Sequence, residues 1–409
     1  MYKMKDSGIK WLGKIPEHWE ISRIKNHFIN KKQIAGIKSV NYERLALTLN
    51  GVVKRSKEDS NGLQPADFNT YQIIEKDNLI FKLIDLQNIS TSRVGLSPYT
   101  GLVSPAYIRL EVNKDTCPRF SEFFFLMMWY NQIFNNLGDN GVRSSLNATE
   151  LINVSISLPP LKEQQKIADF LDEKCTEIDE LAKDIKAQIE ILEEYKKSVI
   201  TEQFNGTDLW KIKNIGSFQN GADFTPSIDG YEVKFLGVGD FKNNMILDNK
   251  NKFSTVQIDR TISSNELLKS GDIIFVRSNG SKDLVGRSIM VENIDFPIIY
   301  SGFCIRFRNN KKEILSKYLL YYFRSHFFKK ALFEGSMGTA INNLSQPILG
   351  NIKCPIVSKK EQQKIIDYLD IKCTEIDSTI TEKKEQLKIL EQYKKSLIYE
   401  YVTGKKEVI

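Results

Sequence analysis

The chain has 409 residues, a hydrophobic fraction of 41%, a charged fraction of 27% and a formal net charge of +7. These values are ordinary for a soluble protein of two or three domains, and the most apolar run, 123–130, is too short to cross a membrane. The polar N-terminus, MYKMKDSGIKW, predicts no signal peptide. Five scattered cysteines without CxxC spacing predict reduced thiols in a cytoplasmic protein rather than disulfides or a zinc site.

Residues 1–160 are predicted to form the first globular domain. Short β-rich runs separated by turn residues occupy 31–112. An apolar helix is expected at 120–137, followed by a glycine-rich polar loop over 138–147. A strand at 152–158 is expected to lead into a long helix.

A helical stretch occurs twice in the chain. Residues 161–206 and 359–404 align without a gap at an offset of 198, with 27 of 46 positions identical. A period this long indicates a duplicated half-protein rather than a solenoid of short repeats. Apolar residues at steps of three and four form one stripe on each copy: Ile178, Leu181, Ile185, Ile189, Leu192, Tyr195 and Val199 on the first, and Ile376, Ile380, Leu387, Leu390, Tyr393 and Leu397 on the second.

These stripes must be buried, because a long helix is stabilised mainly by tertiary packing. We predict a first spacer helix over 161–206 and a second spacer helix with its C-terminal tail over 359–409. Each stripe is expected to pack on the other, so that the two helices form an antiparallel coiled coil. Two separate helices, each packed on its own domain, are the alternative.

The second globular domain is predicted over 207–358 and repeats the plan of the first. The run 271–277 parallels 76–82, a second apolar helix is expected at 315–332, and a second glycine-rich loop follows at 335–344. The predicted fold class is therefore α+β. Two α/β domains are separated by a long antiparallel two-helix coiled coil, with a pseudo-two-fold internal duplication.

Positive charge is concentrated in the two globular parts. Residues 1–161 contain 20 basic and 15 acidic residues, and residues 207–358 contain 20 and 14. The first helical copy is acidic and the second is neutral. This distribution favours contact between the globular domains and a polyanion.

No catalytic, cofactor-binding or metal-binding site is predicted. The segment 8–14 (GIKWLGK) nearly matches a phosphate-binding P-loop, but Ile15 stands where Ser or Thr is required. The glycines at 237–239 lack the third glycine of a dinucleotide fingerprint, and the tetrapeptide typical of an amino-methyltransferase is missing.

Several stretches together resemble the specificity subunit of a Type I restriction–modification system. They are the run 8–19 (GIKWLGKIPEHW), the pieces LIDLQN and SPAY, the run 158–167 (LPPLKEQQKI) and the twice-occurring helix end around YKKS. The resemblance implies two target-recognition domains, each of which reads half of a bipartite double-stranded DNA site in phage defence. It also implies spacer helices that set the half-site spacing and dock two modification (methyltransferase) subunits, which motor–nuclease subunits join. S-adenosylmethionine, ATP and Mg would be used by those partners and not by this chain.

Loop position and side-chain chemistry select candidate DNA-binding residues, because Lys and Arg contact phosphates while Arg, Asn and Ser read base edges. They are Arg55, Lys57, Asn61, Lys82, Asn88, Ser90, Arg93, Arg143, Ser144 and Asn147 in the first domain, and Lys242, Asn243, Arg277, Ser278, Asn279, Lys282, Arg287, Asn342 and Asn343 in the second. For each of them, an ordinary solvated surface residue is the alternative.

Glu190, Glu193 and Glu194 form an acidic outer face of the first helix, which is expected to dock the modification subunit. Two other functions stay open from sequence alone. One is a two-headed protein scaffold without sequence-specific DNA binding, and the other is a specificity chain of a methylation-only or Type II-like complex.

Overall fold

The computed structural model describes residues 2–59, 67–87, 92–137, 145–221, 223, 230–241, 245–278, 284–335 and 343–408. The chain forms two compact units. The first unit comprises Met1–Ile185 and Glu385–Ile409, and the second comprises Lys186–Lys384. Each unit therefore holds one globular part and a segment of each long helix.

The first globular part is built from short strands and short helices that precede the first long helix. Its elements are β1 Met4–Asp6, β2 Lys14–Pro16, β3 Glu20–Arg23, α1 Ile24–His27, β4 Phe28–Ile29, β5 Arg44–Thr48, β6 Gly51–Arg55, β7 Gln72–Ile74, β8 Leu79–Phe81, β9 Val94–Leu96, β10 Gly101–Val103, β11 Ile108–Val112, α2 Pro118–Tyr130, α3 Ala148–Ile152 and β12 Ser155–Leu158, followed by the long helix α4 Leu161–Glu202.

Two four-stranded sheets form the body of this part, in the orders β6-β5-β10-β7 and β4-β11-β8-β9, with the pairs β1-β2 and β12-β3 beside them. Helix α2 is the centre of the core because its apolar side chains are buried against the second sheet. The Phe125 ring lies 5.0 Å from the Phe81 ring and 5.6 Å from the Phe28 ring, both in edge geometry. The same core continues through Ile167 and Leu171 of α4.

The second globular part repeats this plan with its own sheets. Its elements are β13 Leu209–Lys211, β14 Gly216–Asn220, β15 Tyr231–Leu236, β16 Ile246–Leu247, β17 Ser254–Ile258, β18 Ile273–Val276, β19 Ser288–Val291, β20 Ile298–Tyr300, β21 Cys304–Asn309, α5 Ser316–Tyr322, α6 His326–Gly335, α7 Gln346–Asn351 and β22 Lys353–Pro355, followed by the long helix α8 Lys359–Val402. The sheet orders are β14-β21-β18-β19-β16 and β17-β15-β20, with the pair β13-β22.

The predicted apolar helices are shorter than expected. The helix predicted at 120–137 ends at Tyr130, because Gln132 adopts a left-handed conformation with φ of 54° and a 3₁₀ turn follows. The helix predicted at 315–332 is two helices, α5 and α6. Ser325 separates them: its hydroxyl donates to the carbonyl of Tyr322 and accepts from the amide of Phe328. This local side-chain bonding competes with the continuous helical ladder.

Both long helices are continuous. A glycine cap follows the second long helix but not the first. Gly404 follows α8 with a φ of 68°, which suits a residue without a side chain. Helix α4 ends at Glu202, four residues before Gly206.

The two long helices run antiparallel within each unit. In the first unit, the Phe170 ring of α4 lies 4.5 Å from the Tyr401 ring of α8, and Asp179 farther along α4 meets Lys394 nearer the start of α8. In the second unit, Lys196 of α4 meets Asp377 of α8. The predicted coiled coil is therefore confirmed. The exact domain boundaries stay a prediction.

All five cysteines are buried and unbridged. Burial raises the pKa of Cys175 and Cys373 to about 11, so both thiols are neutral at physiological pH. Within the described ranges no helix is long and apolar enough to cross a membrane, and no cluster of His, Cys, Asp and Glu is arranged to hold a metal ion.

Candidate nucleic-acid interface and helix contacts

In the second unit, three predicted DNA-binding residues lie together. The backbones of Ser278 and Asn343 form an isolated antiparallel bridge, and the Arg277 Nε donates to the Asn343 Oδ1 at 3.2 Å. The amide of Leu344 also donates to the carbonyl of Arg277 at 2.8 Å. These bonds bring the turn after β18 and the end of the glycine-rich loop to one place.

A groove of about 650 Å³ lies beside this cluster, lined in part by Lys213, Asn220 and Gln346. The Gln346 side chain donates to the Asn220 Oδ1 at 2.9 Å, so a second pair of polar side chains faces the same groove as Arg277 and Asn343. Sequence reasoning missed these residues, because Asn220 ends a strand and Gln346 opens a helix. The polar run NNLSQ at 342–346, where the glycine-rich loop ends, was the available signal.

The first unit has the same backbone junction with different side chains. The amide of Leu146 donates to the carbonyl of Leu83 at 2.9 Å, and Ile84 forms an isolated bridge with Ser145. Ser145 and Asn343 are 198 positions apart, so the junction is part of the duplication. The side chains at this bridge differ: they are isoleucine and serine in the first unit, and serine and asparagine in the second.

Arg55 and Lys57 of the first unit lie beside a groove of about 640 Å³ that Arg44 and Lys54 also line. The Arg55 Nε donates to the Asp59 Oδ2 at 2.7 Å, and the Lys57 Nζ donates to the carbonyl of Ser39 at 2.8 Å. Both cations therefore have protein partners, yet both are only partly buried, and Glu43 and Glu58 line the groove together with the cations.

Arg93 conflicts with its predicted role in direct DNA contact, because its side chain is fully buried. Its guanidinium donates to the carbonyl of Asp85 at 2.6 Å, which holds the turn after β8. Burial lowers the pKa of Arg93, and the carboxylate of Asp85 partly opposes that effect. The neighbouring Lys82 is partly exposed, and burial followed by the charge of Arg93 lowers its pKa.

Asn147 has a structural use that its sequence position did not reveal. It caps α3 in a capping box: its side chain accepts from the amide of Glu150 at 3.0 Å, and the Glu150 carboxylate accepts from the amide of Asn147 at 2.9 Å.

Arg287 of the second unit is exposed, and its guanidinium donates to the carbonyl of Phe241 at 3.3 Å. The remaining candidates lie outside the described residues: Asn61, Asn88, Ser90, Arg143, Ser144, Lys242, Asn243, Asn279, Lys282 and Asn342.

The coiled-coil seam follows a strict heptad rather than the stripe predicted from sequence. Leu181, Tyr195 and Tyr393 were predicted to be in the seam, but each is more than half exposed. The positions that are at least partly buried between the helices instead include Ala182, Lys196 and Lys394. They follow steps of three and four that average 3.5 residues, the period that keeps a seam facing its partner helix: 178, 182, 185, 189, 192, 196 and 199 on α4, and 376, 380, 383, 387, 390, 394 and 397 on α8.

Two polar seam positions, Lys196 and Lys394, form ion pairs across the two helices. The Lys196 Nζ lies 2.6 Å from a carboxylate oxygen of Asp377, and the Lys394 Nζ lies 2.6 Å from one of Asp179. Lys196 and Lys394 are 198 positions apart, as are Asp179 and Asp377. The duplication has therefore preserved one inter-helix contact in both units. Side-chain exposure is 22% for Lys196 and 25% for Lys394.

A buried glutamine near the start of each long helix attaches that helix to its globular part. The Gln164 side chain accepts from the amide of Cys117 at 2.8 Å and donates to the carbonyl of Pro159 at 2.9 Å. The Gln362 side chain accepts from the amide of Leu315 at 2.8 Å and donates to the carbonyl of Val357 at 2.8 Å. Both side chains satisfy backbone groups that burial would otherwise leave unpaired. The twice-occurring KEQQK run thus has a structural explanation.

The outer faces of the long helices carry exposed apolar residues as well as charge. Ile191 and Tyr195 lie one turn apart on α4, and their duplicated counterparts Ile389 and Tyr393 lie one turn apart on α8. All four are more than half exposed. Glutamates surround only the first pair, because Lys388, Glu391 and Gln392 stand where α4 has Glu190, Glu193 and Glu194. A hydrogen bond from Lys197 lowers the pKa of Glu194, so this carboxylate is charged.

Comparison with known proteins places both halves of the chain in one family. The model of the Type I restriction modification DNA specificity domain matches twice, over residues 16–191 and 203–392. The MjaVIII Type I restriction enzyme specificity subunit of Methanocaldococcus jannaschii is 26% identical over 96% of this chain and 94% of its own length. The StySPI specificity subunit of Salmonella potsdam is 23% identical over 87% of this chain and 82% of its own length.

The fold is also found in a solved structure. A chain from a study of complex assembly and conformational transition of the type I R-M system superposes with a TM-score of 0.71. The alignment covers 96% of this chain and 99% of that chain, at 13% sequence identity. The two family-model matches cover most of the sequence, and the chain therefore belongs to the Type I restriction modification DNA specificity domain family.

Proposed function

We propose that this chain is the DNA sequence-specificity subunit of a Type I restriction–modification complex and has no catalysis of its own. Each globular part reads one half of a bipartite site, and the paired helices set the distance between the halves. One observation carries this proposal: the contacts of the two helices are duplicated, while the loop junctions of the two globular parts differ. A chain that reads two different half-sites from one scaffold requires this combination.

In the second unit the reading surface is the groove that Arg277, Asn343, Asn220 and Gln346 share. Arginine pairs with guanine in the major groove through two hydrogen bonds, and asparagine and glutamine pair with adenine in the same way. The groove therefore has the donors and acceptors that distinguish base pairs. Partly exposed cations of the first unit, such as Arg55 and Lys57, supply contacts to phosphates.

Two modification subunits dock on the exposed apolar pairs of the helices. Two copies of one partner need the same surface twice, and Ile191 with Tyr195 is repeated as Ile389 with Tyr393. The acidic face at Glu190, Glu193 and Glu194 is not repeated in charge, so it is the weaker candidate for a shared docking surface. Motor–nuclease subunits join this core, and S-adenosylmethionine, ATP and Mg belong to the partners.

The test is co-expression with a methyltransferase subunit encoded beside this chain, in a host without its own adenine methylation. N6-methyladenine at one split motif is the expected result. Exchange of residues 207–358 for the same region of another family member should then change one half of the motif and leave the other half intact. An assembled complex that methylates no defined motif would contradict the proposal.

A further inference from the structure

The segment between β4 and β5 presents aliphatic side chains to solvent. Ile37 is 87% exposed and Val40 is 77% exposed, which makes them the most exposed of the large apolar residues among those described. Both lie on the 3₁₀ helix Gly36–Asn41. Side chains three residues apart eclipse each other in a 3₁₀ helix, so Ile37 and Val40 project from one face. Ile34, which is half exposed, precedes them.

This projection is held firmly in place. The amide of Ala35 donates to the carbonyl of Tyr71 at 2.8 Å, and the amide of Ile73 donates to the carbonyl of Gln33 at 2.8 Å, so the segment is paired to the strand β7. Ala35 itself is buried. The side chains of Ile37 and Val40, which we call the aliphatic tip, are therefore held in one fixed position.

Two side-chain contacts complete the attachment at the other end of the turn. The buried Ser39 donates from its hydroxyl to the Asn69 Oδ1 at 2.7 Å, and its carbonyl accepts from the Lys57 Nζ at 2.8 Å. Lys57 also lies 5.7 Å from the centre of the Phe68 ring. The turn therefore buries its small polar residue and exposes its aliphatic ones, the reverse of the usual pattern at a protein surface.

The charge around the aliphatic tip is mainly positive. Residues 21–42 contain five basic residues and no acidic one, and Lys31, Lys32 and Lys38 are exposed on the segment itself. Three carboxylates lie nearby. Asp67 accepts from the amide of Asn69 at 2.8 Å as a helix cap, Glu43 is paired with Lys54 at 2.6 Å, and Glu58 lines the same groove as Val40. A protein partner for an apolar tip needs no such cationic surround, whereas a nucleic-acid backbone does.

We infer that Ile37 and Val40 form a wedge that inserts between stacked base pairs of DNA while the flanking lysines contact phosphates. Aliphatic side chains inserted from the minor groove unstack a base step and kink the duplex. The inference rests on the proposed function, because it assigns a mechanical role to the unit that reads the first half-site. Kinking adds specificity, because flexible steps deform at lower cost than stiff ones.

The experiment uses the full chain in complex with its modification subunits and a duplex that contains the mapped methylation motif. 2-Aminopurine is placed in turn at steps within and beside the first half-site but away from the methylated adenine, because a methyltransferase itself flips that base out of the stack. Dyes at the two ends report the bend. The wild-type complex is expected to raise the fluorescence at one step and to shorten the end-to-end distance. The double variant Ile37→Ser with Val40→Ser should lose both signals and bind the duplex at least roughly tenfold more weakly, a change of about 1.4 kcal/mol.

Two control variants separate the wedge from charge and from folding. Lys38→Ala keeps the aliphatic tip, so it should retain the fluorescence signal while the slope of affinity against salt falls by about one. Ile37→Leu with Val40→Leu should retain both signals. The serine variant replaces exposed side chains, so its thermal unfolding midpoint should match that of the wild type.

The outcomes distinguish this inference from the proposed function. If no motif is methylated by the wild-type complex, both ideas fail. If a motif is mapped and the serine variant keeps the fluorescence signal and the affinity, the wedge alone is wrong. The serine variant could instead bind a modification subunit more weakly, while the fraction that does assemble bends DNA as the wild type does. In that case the tip contacts protein, and the wedge inference is wrong.

Discussion

The two units share the contacts that join each globular part to its long helix. They differ in the side chains at the junction between the two loops of each globular part. Gln164 and Gln362 attach helices through equivalent bonds, and Arg119 and Lys317 each pair with an aspartate of the adjoining helix. At the loop junction, by contrast, Ile84 and Ser145 of one unit stand against Ser278 and Asn343 of the other. The two copies therefore share the contacts that attach the long helices, whereas the side chains of the proposed reading surface differ between them.

The largest expected effect comes from removing a helix attachment. Gln164→Ala leaves the amide of Cys117 and the carbonyl of Pro159 buried without partners, which should lower the free energy of unfolding by about 2–4 kcal/mol. Gln362→Ala should cost at least as much, because Gln362 also donates to the carbonyl of Glu313 at 3.2 Å. Urea unfolding of each variant measures both values.

Adjacent glutamines supply matched controls for that experiment. Gln165 and Gln363 each donate to an exposed aspartate one turn along the same helix. Replacing either with alanine should change the free energy of unfolding by less than about 0.5 kcal/mol. If Gln164→Ala and Gln165→Ala lowered the free energy of unfolding equally, the buried attachment would not explain why both copies contain this run.

The docking surfaces should also behave alike in the two helices. Ile191→Asp with Tyr195→Asp should remove one modification subunit from the complex, and Ile389→Asp with Tyr393→Asp should remove one as well. Truncation of a central apolar contact commonly costs about 2 kcal/mol or more, a loss of about thirtyfold in affinity. Native mass spectrometry counts the subunits that remain.

Leu181→Asp is the control for docking, because Leu181 is exposed on α4 but its counterpart on α8 is Thr379. This variant should leave assembly unchanged. A complex that keeps both modification subunits when all four apolar residues are replaced would show that the partner binds elsewhere.

A smaller effect is expected where the two units differ. Arg277→Ala should relax the sequence requirement at one base of a single half-site, at a cost of about 1–3 kcal/mol in discrimination. Arg287→Ala, which removes another exposed cation from the same unit, should weaken binding without changing the motif. Methylation mapping of both variants makes the comparison, and an unaltered motif from Arg277→Ala would remove Arg277 from the reading surface.

The smallest effects are expected at the seam. Lys196→Ala and Lys394→Ala should each lower the free energy of unfolding by about 0.5–1 kcal/mol, the range typical of partly exposed ion pairs. The two losses should agree, because Asp377 and Asp179 meet their lysines at the same distance. Double-mutant cycles with Asp377→Ala and Asp179→Ala measure the coupling energy of each ion pair. Unequal coupling energies would contradict the expectation that the two pairs are equivalent.

Much of the scaffold was predictable from sequence because it depends on local periodicity. The two long helices, their antiparallel pairing and the repeated plan were all predicted correctly. The seam was wrong at Leu181, Tyr195 and Tyr393, because hydrophobicity alone favours a leucine or a tyrosine over the adjacent alanine or lysine. A strict 3.5-residue period would have selected Ala182, Lys196 and Lys394 instead.

The reading surface was less predictable, because exposure is set by contacts between residues that are far apart in sequence. Arg93 and Arg277 both follow β-rich runs and look equivalent as loop cations, but Arg93 is buried under the turn at Asp85 while Arg277 faces a groove with Asn343. The sequence by itself determined the helices, the duplication and the basic character of the globular parts, since periodicity and charge are properties of the chain. Only the tertiary structure decided which polar side chains are exposed and which ones lie together, because packing brings Arg277 to Asn343 and Ser39 to Asn69 across many residues.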